Sequence, residues 1–319
     1  MPQRLLLVDL FSHGDLTVYV DAIRAEKLPV EVHTAETRSE ALTKAGDCSI
    51  LSILDPAIDQ SLVDHMPQLQ WIHALTSGIN RIVSLNYTHR PLITNSSGIH
   101  GPQMAELTLL HMLSAARDFP KMLDNAKSGR WQRWPQILLS GKCVLMLGIG
   151  KIAESLALRC KALEMTVVGM SGSRTEAPGF DLIVAREQVQ AQAQQADFVV
   201  VLLPYDSANH LFVNEAFIQQ MKPGSILVGM SRGLVVDEQA LLRALQSGHL
   251  RHAGLDVFAV EPLPADSSLW RAPGVTVTPH VGGMSDRYAQ QALPILLHNL
   301  RVFLNGQPSA MQNLVTSDH

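Results

Sequence analysis

Three side chains of this 319-residue chain have the types and settings to do acid–base chemistry on a small anion. Arg232 stands in Met230-Ser231-Arg232-Gly233. Glu261 opens Glu261-Pro262-Leu263-Pro264, shortly after Gly254-Leu255-Asp256-Val257-Phe258, and His280 sits in Thr278-Pro279-His280-Val281-Gly282-Gly283. A guanidinium offers a planar fork of donors to a carboxylate. An imidazole changes charge near neutral pH, and a carboxylate beside it favours the protonated ring, so the pair can deliver and recover a proton. Each segment follows a run of strand character, and open α/β sheets gather their ligands at the carboxyl ends of successive strands. A cation, a carboxylate and an imidazole delivered in that way can converge on one substrate.

A fourth segment has phosphate chemistry. Val144 to Leu147 reads as a buried strand and runs into Gly148-Ile149-Gly150-Lys151-Ile152-Ala153, followed by a helix-forming stretch to Leu163. Gly148 permits the tight turn, Gly150 lets the backbone approach a pyrophosphate, and the small Ala153 lets helix and strand pack closely. Amides of the first helical turn, at Lys151 and Ile152, would carry the anion. About twenty residues past such glycines a carboxylate usually accepts hydrogen bonds from the ribose hydroxyls. Here the place belongs to Ser171, in Met170-Ser171-Gly172-Ser173-Arg174. A carboxylate would repel a 2′-phosphate, whereas Ser171, Ser173 and Arg174 can donate to it. NADP(H) is therefore the expected cofactor, with NAD(H) as the less favoured one.

The elements that must position these groups are legible as a rhythm. Short apolar runs at Leu5 to Val8, Val30 to His33, Ser49 to Leu54, Gln70 to Leu75 and Leu92 to Thr94 alternate with helical patterns, as in a parallel sheet. Gly101-Pro102 opens a long helical segment to about Phe119, with Met104, Leu107, Leu110 and His111 on its expected apolar face. A second alternation starts at Lys142, with strands expected at Cys143 to Leu147, Thr166 to Met170, Phe198 to Leu203, Ile226 to Met230, His252 to Val257 and Val275 to Thr278. The segment Ser285 to Leu304 is helical in pattern, with a kink expected at Pro294.

Composition narrows the function classes. With 46% hydrophobic and 17% charged residues the chain has material for a core, and its length favours two domains. A net charge of −4 lacks the basic excess that nucleic-acid binding needs. The three cysteines, Cys48, Cys143 and Cys160, form neither a disulfide framework nor a zinc site, so no metal is expected and a reducing cytoplasm fits. No apolar run is long enough for a signal core or a bilayer span, and a soluble, unprocessed protein without membrane association is the expectation.

Taken together, the glycine turn at 148 to 153, Met221-Lys222-Pro223-Gly224, Ser231-Arg232-Gly233 with Val236-Asp237, the GLDVF and EPLP blocks and TPHVGG closely resemble the D-isomer-specific 2-hydroxyacid dehydrogenases, in family order and over nearly the whole chain. The family includes glyoxylate/hydroxypyruvate reductases. The resemblance implies an α/β protein of two doubly wound parallel-sheet domains, a Rossmann cofactor domain (101–284) inserted into a flavodoxin-like substrate domain (1–100 plus 285–319). It implies that Arg232 grips the substrate carboxylate and polarises the 2-oxo group, that His280 donates the proton in reduction, and that Glu261 orients His280. Asp256 would lie near the nicotinamide amide. Met230, Ser231, Leu203, Pro204 and Asn209 match cofactor-contacting positions, and Ser77 and Gly78 match the loop whose amides hold the substrate carboxylate. Trp131 and Trp134 fall where members place aromatics near a dimer contact, and a homodimer is the family's usual state.

Two departures stand out: Gly229 replaces a frequent Asn, and the acidic ribose ligand is missing. A further, regulatory domain after the tail helix is not expected. The activity implied is reduction of a short 2-oxo acid, such as glyoxylate or hydroxypyruvate, to a D-2-hydroxy acid with NAD(P)H. The alternative is a non-catalytic dinucleotide sensor on the same scaffold. Formate oxidation would pair the histidine with glutamine, and Glu261 speaks against it.

Overall fold

The computed structural model describes residues 3–10 and 16–315. The chain divides into two compact units, Met1–Ile99 with Met284–His319, and His100–Gly283. In the first unit β1 (Gln3–Val8), β2 (Val30–Ala35), β3 (Ile50–Ile53), β4 (Trp71–Ala74) and β5 (Leu92–Asn95) form one parallel sheet in the order β2-β1-β3-β4-β5. This is the flavodoxin-like order. All four residues of β3 and of β4 are buried, the polar Ser52 and His73 included, because a parallel sheet is covered on both faces. The helix Tyr288–Leu304 packs on Leu16–Ala25 through a stripe that includes Ala292, Leu296 and Leu300, and it continues through Pro294 as a single helix.

The second unit holds seven parallel strands: β6 (Cys143–Leu147), β7 (Thr166–Met170), β8 (Leu182–Val184), β9 (Phe198–Val201), β10 (Ser225–Gly229), β11 (Leu250–Leu255) and β12 (Val275–Val277). Their order is β12-β11-β10-β9-β6-β7-β8. The order reverses between β6 and β9, so a ligand crevice is expected beyond Leu147 and Val201. The edge strand β8 has no counterpart in the apolar pattern, because it is three residues long and only Val184 is buried.

The helix Gly101–Arg117 covers one face of this sheet. Its buried stripe is Met104, Ala105, Thr108, His111, Met112 and Ala115, whereas Leu110 is 54% exposed. Met104 and His111 are buried as expected, while Leu110 is not, and the polar Thr108 is buried in addition. The helix ends at Asp118, which takes a left-handed conformation (φ 49°), and Phe119-Pro120 begins a second helix, Phe119–Lys127. The unit's two ends touch: the Gln103 amide donates to the Gly283 carbonyl (3.3 Å), and a Cβ at Gly283 would meet the His100 ring at 3.3 Å.

Candidate active site

The glycine turn at 148–153 follows β6. Gly148 has φ +100°, and a Cβ there would press on the backbone of Leu202 and Leu203 at 3.1 Å, so only glycine fits. Gly150 caps the helix Lys151–Ala162 with open space beyond its Cα and with no side chain accepting from the first amides. Ala153 is buried on the sheet. A cradle without side chains, facing uncapped helix amides, fits a dinucleotide pyrophosphate.

At the end of β7 the Ser171 hydroxyl accepts the backbone N–H of Arg174 (3.0 Å) and of Ser173 (3.3 Å), which curls the loop back toward the helix. Arg174 then donates to Glu154 (2.6 Å), whose other oxygen takes the Lys151 ammonium at 3.1 Å. The hydrogen bond from Arg174, followed by that from Lys151, holds the Glu154 carboxyl below the usual glutamate value. One carboxylate thus ties Lys151, at the glycine turn, to Arg174, in the loop after β7. Nothing in the sequence spacing pointed to Glu154.

Beyond β9, Leu203 is buried and Pro204 leads into a loop closed by Asn209. The Asn209 amide donates to the Pro204 carbonyl (3.0 Å) and its oxygen accepts from Arg186 (2.7 Å), so this side chain shapes the loop from within.

Beyond β10, Met230 is buried, and the buried Ser231 hydroxyl has no hydrogen-bond partner among the described residues. Arg232 is extended, and its guanidinium donates to the Ser231 carbonyl at 2.7 Å. Gly233 lies directly beneath Phe258, where any Cβ would overlap the Phe258 carbonyl. That close approach locks the Arg232 loop to the segment that carries Glu261. Glu261 accepts from the Phe258 amide (2.9 Å) with one oxygen and meets His280 Nδ1 at 2.6 Å with the other. Burial would raise the Glu261 carboxyl, but the hydrogen bonds from His280 and Phe258 and the charges of His280 and Arg232 outweigh it and hold the group below its ordinary value. Because a carboxylate only accepts, His280 Nδ1 carries a proton, and Nε2 is the ring nitrogen left for a ligand. The structure therefore brings Arg232, Glu261 and His280 into one cluster.

Asp256 lies at the end of β11, 1% exposed, and takes three hydrogen bonds from the segment that holds His280: the Thr278 hydroxyl (2.6 Å) and the amides of Val281 (3.0 Å) and Gly282 (2.8 Å). The sequence also gave no sign of His100, a half-buried imidazole pushed down to about 4 by burial and by the Arg232 charge.

Ser77 and Gly78 belong to the first unit, after β4. Thr76 Oγ1 donates to the Gly78 carbonyl (2.7 Å) and Asn95 donates to the Ser77 carbonyl (3.2 Å), which together shape a tight loop. Trp131 is 86% exposed, and the Lys121 ammonium stands 4.4 Å over the Trp134 ring. Among the described residues no group of histidine, cysteine and carboxylate side chains could hold a metal, and no helix is long and apolar enough to cross a membrane.

Comparison with known proteins gives three kinds of match. The family described as D-isomer specific 2-hydroxyacid dehydrogenase, NAD binding domain, matches residues 109–282. Among curated proteins, D-3-phosphoglycerate dehydrogenase of Methanocaldococcus jannaschii is 29% identical over 300 residues, 91% of this chain but only 56% of that protein's length. Glyoxylate reductase of Pyrococcus furiosus is 29% identical over 296 residues, 88% of each. Among solved structures, a D-isomer specific 2-hydroxyacid dehydrogenase family protein from Aeromonas salmonicida subsp. salmonicida A449 superimposes with a TM-score of 0.91 at 32% identity, covering 100% of both chains.

Proposed function

The chain belongs to the D-isomer-specific 2-hydroxyacid dehydrogenase family, and from that premise we propose that it is a cytoplasmic NAD(P)H-dependent reductase that converts a short 2-oxo acid, of the glyoxylate or hydroxypyruvate kind, to its D-2-hydroxy acid. One observation carries the reading: His280 Nδ1 is 2.6 Å from Glu261, on a strand-end cluster that also holds Arg232. The Arg232 guanidinium grips the substrate carboxylate and polarises the 2-oxo oxygen. Glu261 holds Nδ1–H and stabilises the ring when it is charged, which leaves Nε2–H to give its proton to the oxygen as it becomes an alkoxide. A bound reduced nicotinamide supplies the hydride. In the reverse direction Nε2 takes the proton from the hydroxyl.

Residues 100–283 form the cofactor unit in this reading. Gly148, Gly150, Lys151 and Ile152 would hold the diphosphate, and Leu203, Pro204, Met230, Ser231 and Asp256 would line the remainder of the cofactor. NADPH is preferred over NADH, because Ser171 stands where a carboxylate would repel a 2′-phosphate and Arg174 is 36% exposed beside it. The exposed apolar side chains Leu110, Leu113, Phe119, Leu123, Trp131 and Leu138 form the contact of a homodimer.

A panel of 2-oxo acids followed at 340 nm, with NADPH and NADH in parallel, tests the proposal, and chiral analysis of the product tests its D configuration. Loss of absorbance with glyoxylate or hydroxypyruvate and NADPH is expected. Tight NADPH binding without turnover of any 2-oxo acid would instead support the non-catalytic sensor.

A further inference from the structure

The Asp256 carboxylate accepts the Thr278 hydroxyl, and the helix Gly101–Arg117 brings a second imidazole against that same hydroxyl: His111 Nε2 lies 3.0 Å from Thr278 Oγ1. The proton positions in this chain follow from the chemistry of its members. A carboxylate has no proton to give, so the Thr278 hydroxyl donates to Asp256. Having spent its one proton, Thr278 Oγ1 can only accept from His111, so Nε2 of His111 carries the hydrogen. Nδ1 of His111 is then a bare lone pair, and it is buried with no hydrogen-bond partner among the described residues. Burial, working against the pull of Asp256, keeps the His111 imidazole below its ordinary value, which agrees with a neutral ring.

The backbone is shaped to admit this stack. A Cβ at Gly254 would meet His111 Nδ1 at 2.6 Å, and a Cβ at Gly282 would meet Asp256 Oδ2 at 2.8 Å. At its far end the chain grips the turn that carries His280. The Thr278 carbonyl accepts the His280 amide (3.1 Å), and Asp256 accepts the amides of the two residues that follow. His280 itself has φ +52°, a left-handed conformation that L residues rarely adopt and that persists only where its surroundings hold it.

We propose that His111 and Thr278 are positioning residues for His280, acting through Asp256: the directed chain from the His111 Nε2–H through the Thr278 hydroxyl to Asp256 fixes the carboxylate that pins the His280 turn. Without the His111 donor the Thr278 hydroxyl keeps its bond to Asp256 but loses the one that holds its oxygen from behind. Without that hydroxyl the Asp256 oxygen shared with Val281 is free to turn away, and Nε2 of His280 loses its aim. The inference rests on the reading of His280 as the proton donor.

The test uses three single variants and one double variant of the full chain. Thr278→Val removes the hydroxyl at nearly constant volume, Thr278→Ser keeps it, and His111→Leu removes the donor behind it. Thr278→Val and His111→Leu are expected to lower kcat at least about tenfold while NADPH Kd and substrate KM stay within about threefold. Thr278→Ser is expected to stay within about twofold of the parent, and the double variant to be no slower than Thr278→Val alone, since His111 acts only through Thr278. The low-field Nδ1 proton of His280, held on Glu261, gives a readout that needs no substrate. It is expected to shift and broaden in Thr278→Val and His111→Leu and to stay in place in Thr278→Ser.

Parent-like kcat with an unmoved resonance in His111→Leu would overturn the proposal. So would additive losses in the double variant, or a Thr278→Ser protein as slow as Thr278→Val. If the parent reduces no 2-oxo acid, the reading of the reaction fails while the resonance comparison still decides the positioning role. If His111→Leu does not fold, the Thr278 pair decides it.

Discussion

The proposed reaction places unequal demands on the cation and on the imidazole. His280→Asn removes the proton donor, and a general acid is worth about 10²–10⁴ in rate. Reductase kcat should fall by that much with NADPH affinity retained, measured by single-turnover kinetics and cofactor titration. Arg232→Lys keeps the charge but loses the fork, so substrate KM should rise by about tenfold or more with a smaller change in NADPH Kd. At this scale the sequence was informative because chemistry dictates residue type: Arg232, Glu261 and His280 stand in motifs that packing alone would not assemble. His111 was legible only as part of an apolar stripe, since periodicity reports which face is buried and not what a buried imidazole donates to. Glu154 was hidden for another reason: its partner Arg174 lies 20 positions away and meets it only after Ser171 has curled the loop back.

Elements explain how those residues reach their places and which boundaries the pattern missed. The βαβ rhythm followed from buried parallel strands such as β3 and β4, which are mostly apolar and buried at every position. The three-residue β8 has too little buried surface to leave a pattern, and the helix Gly101–Arg117 buries the polar Thr108 while it leaves Leu110 exposed. The glycine turn at 148–153 and the loop after β7 act as one element, joined by Glu154. Arg174→Ala removes a charge-assisted donor worth about 1.5–3 kcal/mol, so NADPH Kd should rise by about one to two orders of magnitude while NADH Kd changes little. Paired fluorescence titrations check this, and equal effects on both cofactors would remove the case for NADP(H).

The whole molecule carries an acid sensitivity that no single motif announces. Burial holds His73 of β4 at about 3, and burial is also the main cause that holds His100 and His252 at about 4, all below the 6.5 of an exposed imidazole. Below pH 6.5 the unfolded chain binds protons that the folded chain refuses. Stability is therefore fully present above that pH and falls as the pH drops toward 4, by about 1.4 kcal/mol per pH unit for each such histidine. Urea melts should show a flat profile from pH 7 to 8 and a steep loss below 6.5; equal stability at pH 7 and pH 5 would contradict buried neutral rings. The exposed apolar side chains of the cofactor unit bear on assembly. Phe119→Glu with Leu123→Glu should convert a dimer to a monomer in sedimentation analysis. Finally, the contact between His100, Gln103 and Gly283 means that the inserted segment begins and ends at one spot. A segment closed in this way can be gained, lost or exchanged in a single recombination event, because the host chain needs only a short gap to receive it. The glycine turn at 148–153, the proposed catalytic trio and the stack behind His280 would then be inherited together as one cassette.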